Sequence, residues 1–222
     1  MRITLALAVL AAAAGPQAKD NTPPEGFIAL FNGKDLTNWQ GLVEINSRDK
    51  NPEKYAAQVK AANEKYLPHW KVEDGLIHYD GKGQNLQTSK DYGDFEMWVD
   101  WKITPKGDSG IYLRGNPQVQ IWDFNDNKVG SGGLYNNYKH PKDPLKCSDK
   151  PIGQWNTFRI TMRADVVNVW LNGDHVVVDT PLDNYWDRKA DPGKPLPATG
   201  PIELQHHHSE LWFKNIYLKE LR

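Results

Sequence analysis

DFEMWVDWKITPKGDSGIYLRGNPQVQIWD, residues 94–123, decides the fold. Alternating or apolar runs cover Asp94 to Lys102, Ser109 to Leu113 and Gln118 to Trp122, and turn-forming residues separate them. Successive side chains of a strand point to opposite faces. Gly110, Tyr112 and Arg114 therefore share one face, with Ile111 and Leu113 on the other; Gln118, Gln120 and Trp122 oppose Val119 and Ile121 in the same way. One face is core material. The other, with Tyr, Arg, two Gln and Trp, is either a solvated outer face or a sugar-binding cleft, because amides, a guanidinium and an indole offer paired donors and acceptors beside a stacking surface.

Working outward, similar short runs occupy Phe27 to Phe31, Trp70 to Val72, Leu76 to Tyr79, Thr157 to Arg163, Val166 to Leu171, His175 to Val178, Ile202 to His207 and Leu211 to Leu218. That many strands implies two stacked antiparallel sheets. Asn172-Gly173 and Glu73-Asp74-Gly75 mark tight hairpins between neighbouring runs. The exception is Pro52 to Leu67. Asn51 is a capping residue, Pro52 suits the first helical position, and Tyr55, Val59, Ala62 and Tyr66 recur at helical spacing, so one helix lies on the sandwich. No repeat with a period of about 20 to 50 residues points to a propeller or solenoid.

At the N-terminus, Arg2, an apolar run from Ile3 to Ala14 and small residues at Ala12 to Gly15 read as an export signal. Residues 1–18 are expected to be removed, leaving residues 19–222 as one domain. The apolar run is shorter than the roughly 20 residues that span a bilayer. Cys147 is the single cysteine, so the chain has no internal disulfide to rely on. Lys and Arg number 27 against 28 Asp and Glu, without a basic stripe, which argues against nucleic acid or an anionic membrane as partner. Nine tryptophans and nine tyrosines are available for packing and for stacking on sugar rings.

Gln205, His206, His207 and His208 form a second constellation. Alternation separates His207 from its two neighbours, so this run alone does not make a three-histidine metal site. If Gln205 and His207 share the face of Arg114, His207 is a candidate acid or base near neutral pH; it reads equally as a hydrogen-bonded rim histidine. An ordinary glycosidase wants two carboxylates flanking the scissile bond. Asp94, Glu96 and Asp100 do not supply that spacing, and Glu44, Glu73 and Asp123 are scattered. No phosphate loop and no serine or cysteine nucleophile motif is present.

GFIALFNGKDLTNWQG, WKVEDGLI, YGDFEMWVDWKI, GDSGIYLRG, PQVQIWD, GSGGLYNN, WNTFRITM, VWLNG and PIELQHHHSELWFKNIYLKEL resemble, in that order, the 3-keto-disaccharide hydrolase family, once known only as a domain of unknown function. The resemblance implies a concanavalin A-like jelly roll. It also implies cleavage of 3-keto-glycosides: a base removes the carbon-2 proton made acidic by the neighbouring ketone, the aglycone leaves from carbon 1, and water adds back. The substrate would be an oligosaccharide or glycoside in its 3-keto form, supplied by a glycoside 3-oxidoreductase, and the location periplasmic or otherwise secreted. A noncatalytic carbohydrate-binding module is the alternative, needing only the aromatic and amide face.

Roles carry over where motifs match. Arg114 of SGIYLRG would stabilise the enolate, Gln118 and Gln120 orient the sugar, Trp122 stack or support, and Asp123 hold a base or a hydroxyl. His207 stands at the histidine of a leucine, glutamine, any residue, histidine, glycine ending and is the favoured proton-transfer group; here the glycine is His208, which glycine-only backbone conformations would not suit. Glu44 and Glu73 are alternative acids or bases. Tyr112, Gln205, Tyr135, Asn136 and Trp186 are candidate substrate contacts. No cofactor is expected; a divalent ion would also stabilise an enolate, but the sequence names no ligand set for one.

Overall fold

A computed structural model describes residues 19–183 and 195–222. Among these the elements run β1 (Ile28–Ala29), β2 (Trp39–Gly41), α1 (Pro52–Tyr66), β3 (Trp70–Glu73), β4 (Leu76–Tyr79), β5 (Leu86–Thr88), β6 (Phe95–Ile103), β7 (Asp108–Leu113), β8 (Asn116–Trp122), β9 (Asn156–Arg163), β10 (Val166–Leu171), β11 (Asp174–Pro181), β12 (Glu203–Leu204) and β13 (Leu211–Glu220). They form two antiparallel sheets with one helix, the jelly-roll sandwich expected. The larger sheet has the order β11-β10-β9-β6-β13-β4-β3, with β1 also paired to β13; the smaller has the order β2-β5-β12-β7-β8.

Alternation fills the space between them. Met97, Val99 and Trp101 of β6 and Phe158 and Ile160 of β9 meet Ile111, Leu113, Val119, Ile121 and Leu204 of the small sheet, all essentially without exposure. Burial of such side chains stabilises by about 1.5–3 kcal/mol each. With no disulfide among the described residues, this core holds the fold.

The helix starts where expected. Asn51 accepts hydrogen bonds from the backbone N–H groups of Glu53 and Lys54 at 2.9 and 3.1 Å, and Pro52 occupies the first turn. α1 rests on edge strand β2, where Gly41 is needed: a Cβ there would lie 2.5 Å from the carbonyl oxygen of Ala62. The helix and its approach thereby cover part of the small sheet's outer face.

Two strands, β2 and β5, were not expected; each is three residues long and too short for alternation to register. The expected Ile202–His207 strand keeps only Glu203 and Leu204, because beyond them a side chain takes over the pairing, as described below. No described helix is long and apolar enough to cross a membrane.

Candidate active site

Register turns the outer face of the small sheet into a grid. Gln118, Tyr112, Glu203, Gln87 and Gln40 stand opposite one another across five strands. In the next row Gln120 faces Gly110, whose carbonyl accepts from the N–H of Gln205. In the third, Trp122 faces Asp108. Gly110 has no side chain where its row-mates carry amides, so the middle of the grid is hollow. A cavity of about 340 Å³ sits there, floored by Tyr112, Gln118, Gln120 and Gln205 and walled by Asp108, His207, Tyr135 and Asn136. The chain after β8 returns along its edge, with Gly132 and Gly133 bonded to Gln120, and so delivers Tyr135 and Asn136 to the rim.

The floor is an ordered chain of hydrogen bonds. Gln118 Nε2 donates to Gln120 Oε1 at 2.6 Å, and Gln120 Nε2 donates to Asp108 Oδ1 at 2.8 Å. Asp108 Oδ2 lies 3.4 Å from His207 Nδ1, close enough for charge pairing and longer than a formed hydrogen bond. Burial pushes the Asp108 carboxyl above its ordinary range, while His207 and the Gln120 amide pull it back. Gln205 Nε2 donates to the Tyr112 hydroxyl at 3.2 Å, and burial together with the Glu203 charge pushes the Tyr112 phenol well up, so it stays protonated. Two buried acceptors on this floor, Gln118 Oε1 and Gln205 Oε1, have no donor. A buried acceptor left unmatched costs about 1–3 kcal/mol.

Asp108 was missed by the sequence reading although it lies on the face of Gly110 and Tyr112 by the same alternation. Alternation carried past Leu113 leads to Arg114, whereas the same face runs back to Asp108.

Residues 26–219 match the family model of the 3-keto-alpha-glucoside-1,2-lyase-like domain. The chain belongs to this family. A curated relative from Bacteroides thetaiotaomicron, a 3-keto-disaccharide hydrolase, is 26% identical over 89% of this chain and 79% of its own. Crystal structures of a candidate glycosyl hydrolase from Parabacteroides distasonis share the fold at 24% identity: one has TM-score 0.66 over 92% of this chain and 100% of that one, another 0.67 over 95% and 93%.

In this 3-keto-alpha-glucoside-1,2-lyase-like domain, Tyr112, Gln118, Gln120, Gln205, Tyr135, Asn136 and His207 come together at one cavity. Trp122 stands behind them: its Nε1 donates to the Gly130 carbonyl at 2.6 Å and its ring meets the Tyr135 ring edge-on at 5.4 Å, supporting that wall. Trp186 lies outside the described residues.

Arg114 requires a correction. Arg114 and Gly115 have φ of 56° and 68°, forming the two-residue turn between β7 and β8, so strand alternation ends at Leu113. The side chain runs to the end of the sandwich. It donates to the carbonyls of Gly93, Ala164 and Pro197 and pairs with Asp94 at 2.8 Å, and it does not line the cavity. Asp123 is likewise a loop staple: its carboxylate accepts from the N–H groups of Lys106 and Asn125, which outweigh burial and draw its pKa down. Glu73 lies exposed at the end of β3 in the other sheet, 3.6 Å from His78. Glu44 is exposed beside the small sheet; it does not line the cavity, though its charge reaches Tyr112 and Glu203.

Glu203 is a second titratable group, after Asp108, that the sequence does not single out. It is 5% exposed, and burial pushes its carboxyl up to about 7, against an ordinary 4.5, despite a hydrogen bond from Asn85. The native state therefore holds this proton more tightly than the unfolded chain does, and stability falls as pH rises from about 4.5 through 7. The step corresponds to roughly 3 kcal/mol. Denaturant unfolding at pH 4.5 and pH 8 is expected to show wild type losing about that much more stability than Glu203→Gln; parallel pH dependences would contradict it. Among the described residues no group of three or more His, Cys, Asp or Glu is arranged to hold a metal ion.

Proposed function

We propose that this site cleaves the glycosidic bond of 3-keto-glycosides by removing the carbon-2 proton, with water added afterwards to give net hydrolysis. The carrying observation is the Asp108–His207 pair set beside two orphaned amide oxygens in a cavity of monosaccharide scale. Membership of the family supports the reading. So does the carboxylate count: among the described residues lining the cavity Asp108 is the one carboxylate, whereas direct displacement at an unmodified anomeric carbon calls for two.

The chemistry follows from the groups present. Gln118 and Gln205 accept from sugar hydroxyls and fix the ring. Asp108 orients His207 and stabilises its protonated form, so the imidazole takes the carbon-2 proton as the C2–H bond breaks. Electrons move into the ketone, and the enolate oxygen meets hydrogen-bond donors of the floor, the Tyr112 hydroxyl foremost, rather than a cation; no described lining residue is Lys or Arg. The C1–O bond then breaks, the imidazolium returns its proton to the departing aglycone oxygen, and a C1=C2 enone remains. Water adds its hydroxyl to carbon 1 and a proton to carbon 2. A binding module has little use for such a titrating pair.

The substrate's ketone would come from an oxidoreductase acting earlier on the glycoside, and an apolar N-terminal run that reads as an export signal supports a periplasmic or otherwise secreted location. Turnover in deuterium oxide tests the route. Product sampled faster than uncatalysed exchange should carry one deuterium at carbon 2 per bond cleaved; a retained carbon-2 proton would indicate direct displacement.

Gly110→Ala probes the floor. Its Cβ would sit 3.0 Å from Gln118 Cγ and Cδ and from the Val119 carbonyl, pushing the amide off its position. KM for a 3-keto-glucoside should rise about tenfold, as for one or two lost hydrogen bonds, with the unfolding midpoint nearly unchanged. An unchanged KM would remove Gln118 from the binding floor.

A further inference from the structure

Beyond β12 the chain leaves the ladder, and a side chain stands in for the missing strand partner. Asn85 Oδ1 accepts from the backbone N–H of His206 at 3.0 Å and lies 2.7 Å from His206 Nδ1. A backbone N–H can only donate, so the Asn85 atom facing it is the oxygen, and the ring must donate too, as an Nδ1–H. Burial and the neighbouring histidines hold the His206 ring pKa down, which suits a neutral ring in that tautomer. The Asn85 Nδ2 is thereby turned to Glu203, whose Oε2 accepts from it at 2.7 Å. The chain of contacts from Glu203 through Asn85 thus ends at the His206 backbone, one residue from His207, the group that faces Asp108.

We propose that Glu203 and Asn85 are positioning residues for proton transfer: Glu203 orients the Asn85 amide, the amide clamps His206 at backbone and ring, and the clamp aims His207 at Asp108. The inference rests on the function proposed above for His207, but the aim of the ring is a property of the protein alone and is measurable without substrate. The turn needs such a clamp. His208 has φ of 60°, a conformation that costs a non-glycine residue, and the Ser209 hydroxyl supports the turn only through long contacts, donating to the His207 carbonyl at 3.4 Å and accepting from the Asp108 N–H at 3.3 Å. The other charged or titratable groups around Glu203 are Glu44 and Arg48, from the connection between β2 and α1, and Tyr112 on β7. None of these replaces the donor that Asn85 supplies to Oε2.

The polarity of the Glu203–Asn85 bond gives the test. Asn85→Asp puts two carboxyl oxygens face to face; they coexist only by sharing a proton, so the clamp survives at low pH and opens as pH rises. Adding Glu203→Gln restores a donor, now pointing the other way. For Asn85→Asp at pH 8, kcat on a 3-keto-glucoside should fall about tenfold or more with KM within about twofold, and recover toward low pH. The double variant should regain kcat at every pH. Histidine imidazole NMR on the same proteins should show the His206 Nδ1–H resonance lost at pH 8 in Asn85→Asp, with a displaced His207 titration, and both restored in the double variant. If wild type proves inactive on the keto substrate while the NMR pattern appears, the positioning stands and the reaction assigned to the site fails. If the His206 and His207 signals ignore Asn85→Asp, the positioning fails whatever the activity. Should Asn85→Asp not fold, the double variant decides: wild-type resonances support the clamp, and shifted resonances or an unfolded chain overturn it.

Discussion

Asp108→Asn is expected to lower kcat on a 3-keto-glycoside by about 10²- to 10⁴-fold, the range for loss of general acid–base assistance, while leaving the unfolding midpoint in place. Asparagine keeps an oxygen for the Gln120 amide, so the floor's chain of hydrogen bonds survives. What disappears is the charge 3.4 Å from His207 Nδ1, and with it the stabilisation of the imidazolium formed when the carbon-2 proton is taken. His207→Ala should cost a similar factor, and the double variant little more than either single one, since the two residues act as a unit. The pH profile carries the sign. The carboxylate is the working form and burial raises its pKa, so kcat/KM should climb with pH on an acid limb above the ordinary aspartate range, and Asp108→Asn should flatten that limb. Additive losses in the double variant would mean that the two side chains serve separate steps.

Arg114→Ala is expected to destabilise the fold by about 2–4 kcal/mol, the scale for leaving several buried carbonyls without donors, and to leave kcat of the folded fraction within about threefold. Arg114 is 2% exposed and joins the β7–β8 turn to Gly93, Asp94 and the Ala164 turn of the opposite sheet, so its loss leaves three carbonyls and a carboxylate short of donors. Gly200 packs over the same turn, where any Cβ would lie 2.4 Å from the Arg114 carbonyl oxygen. Arg114→Lys should recover only part of the loss, because an ammonium cannot reproduce the planar fork. Denaturant unfolding beside kcat at a temperature where the variant stays folded makes the distinction. Full stability with lost turnover would return Arg114 to the site.

Arg114 and Asp108 also mark how far sequence reaches. Alternation in Ser109 to Leu113 and Gln118 to Trp122 separates the core face from the outer face, and one cavity on the outer side gathers the amides, Tyr112 and His207. The error arose at a single turn. Asn172-Gly173 and Asp74-Gly75 announce positive φ by composition and were read as hairpins, whereas Arg114-Gly115 adopts the same signs with a residue that gives no such warning. Ending the strand at Leu113 would have moved the face back by one pair and brought in Asp108. Glu203 and Asn85 were harder to see. A buried carboxyl on a two-residue strand has no periodicity, and an asparagine acting as a strand partner at long sequence separation is visible only once β5, β12 and β7 lie side by side. His208 shows a different limit: it takes a φ of 60°, a conformation that usually falls to glycine, and the residue type gives no warning of it.

The most direct test compares release of aglycone from a 3-keto-glucoside with release from its unoxidised parent, following ultraviolet absorbance for an enone. The account predicts release from the keto form alone, with a transient absorbance that decays as water adds. Release from both forms at similar rates, or from the parent alone, would contradict it.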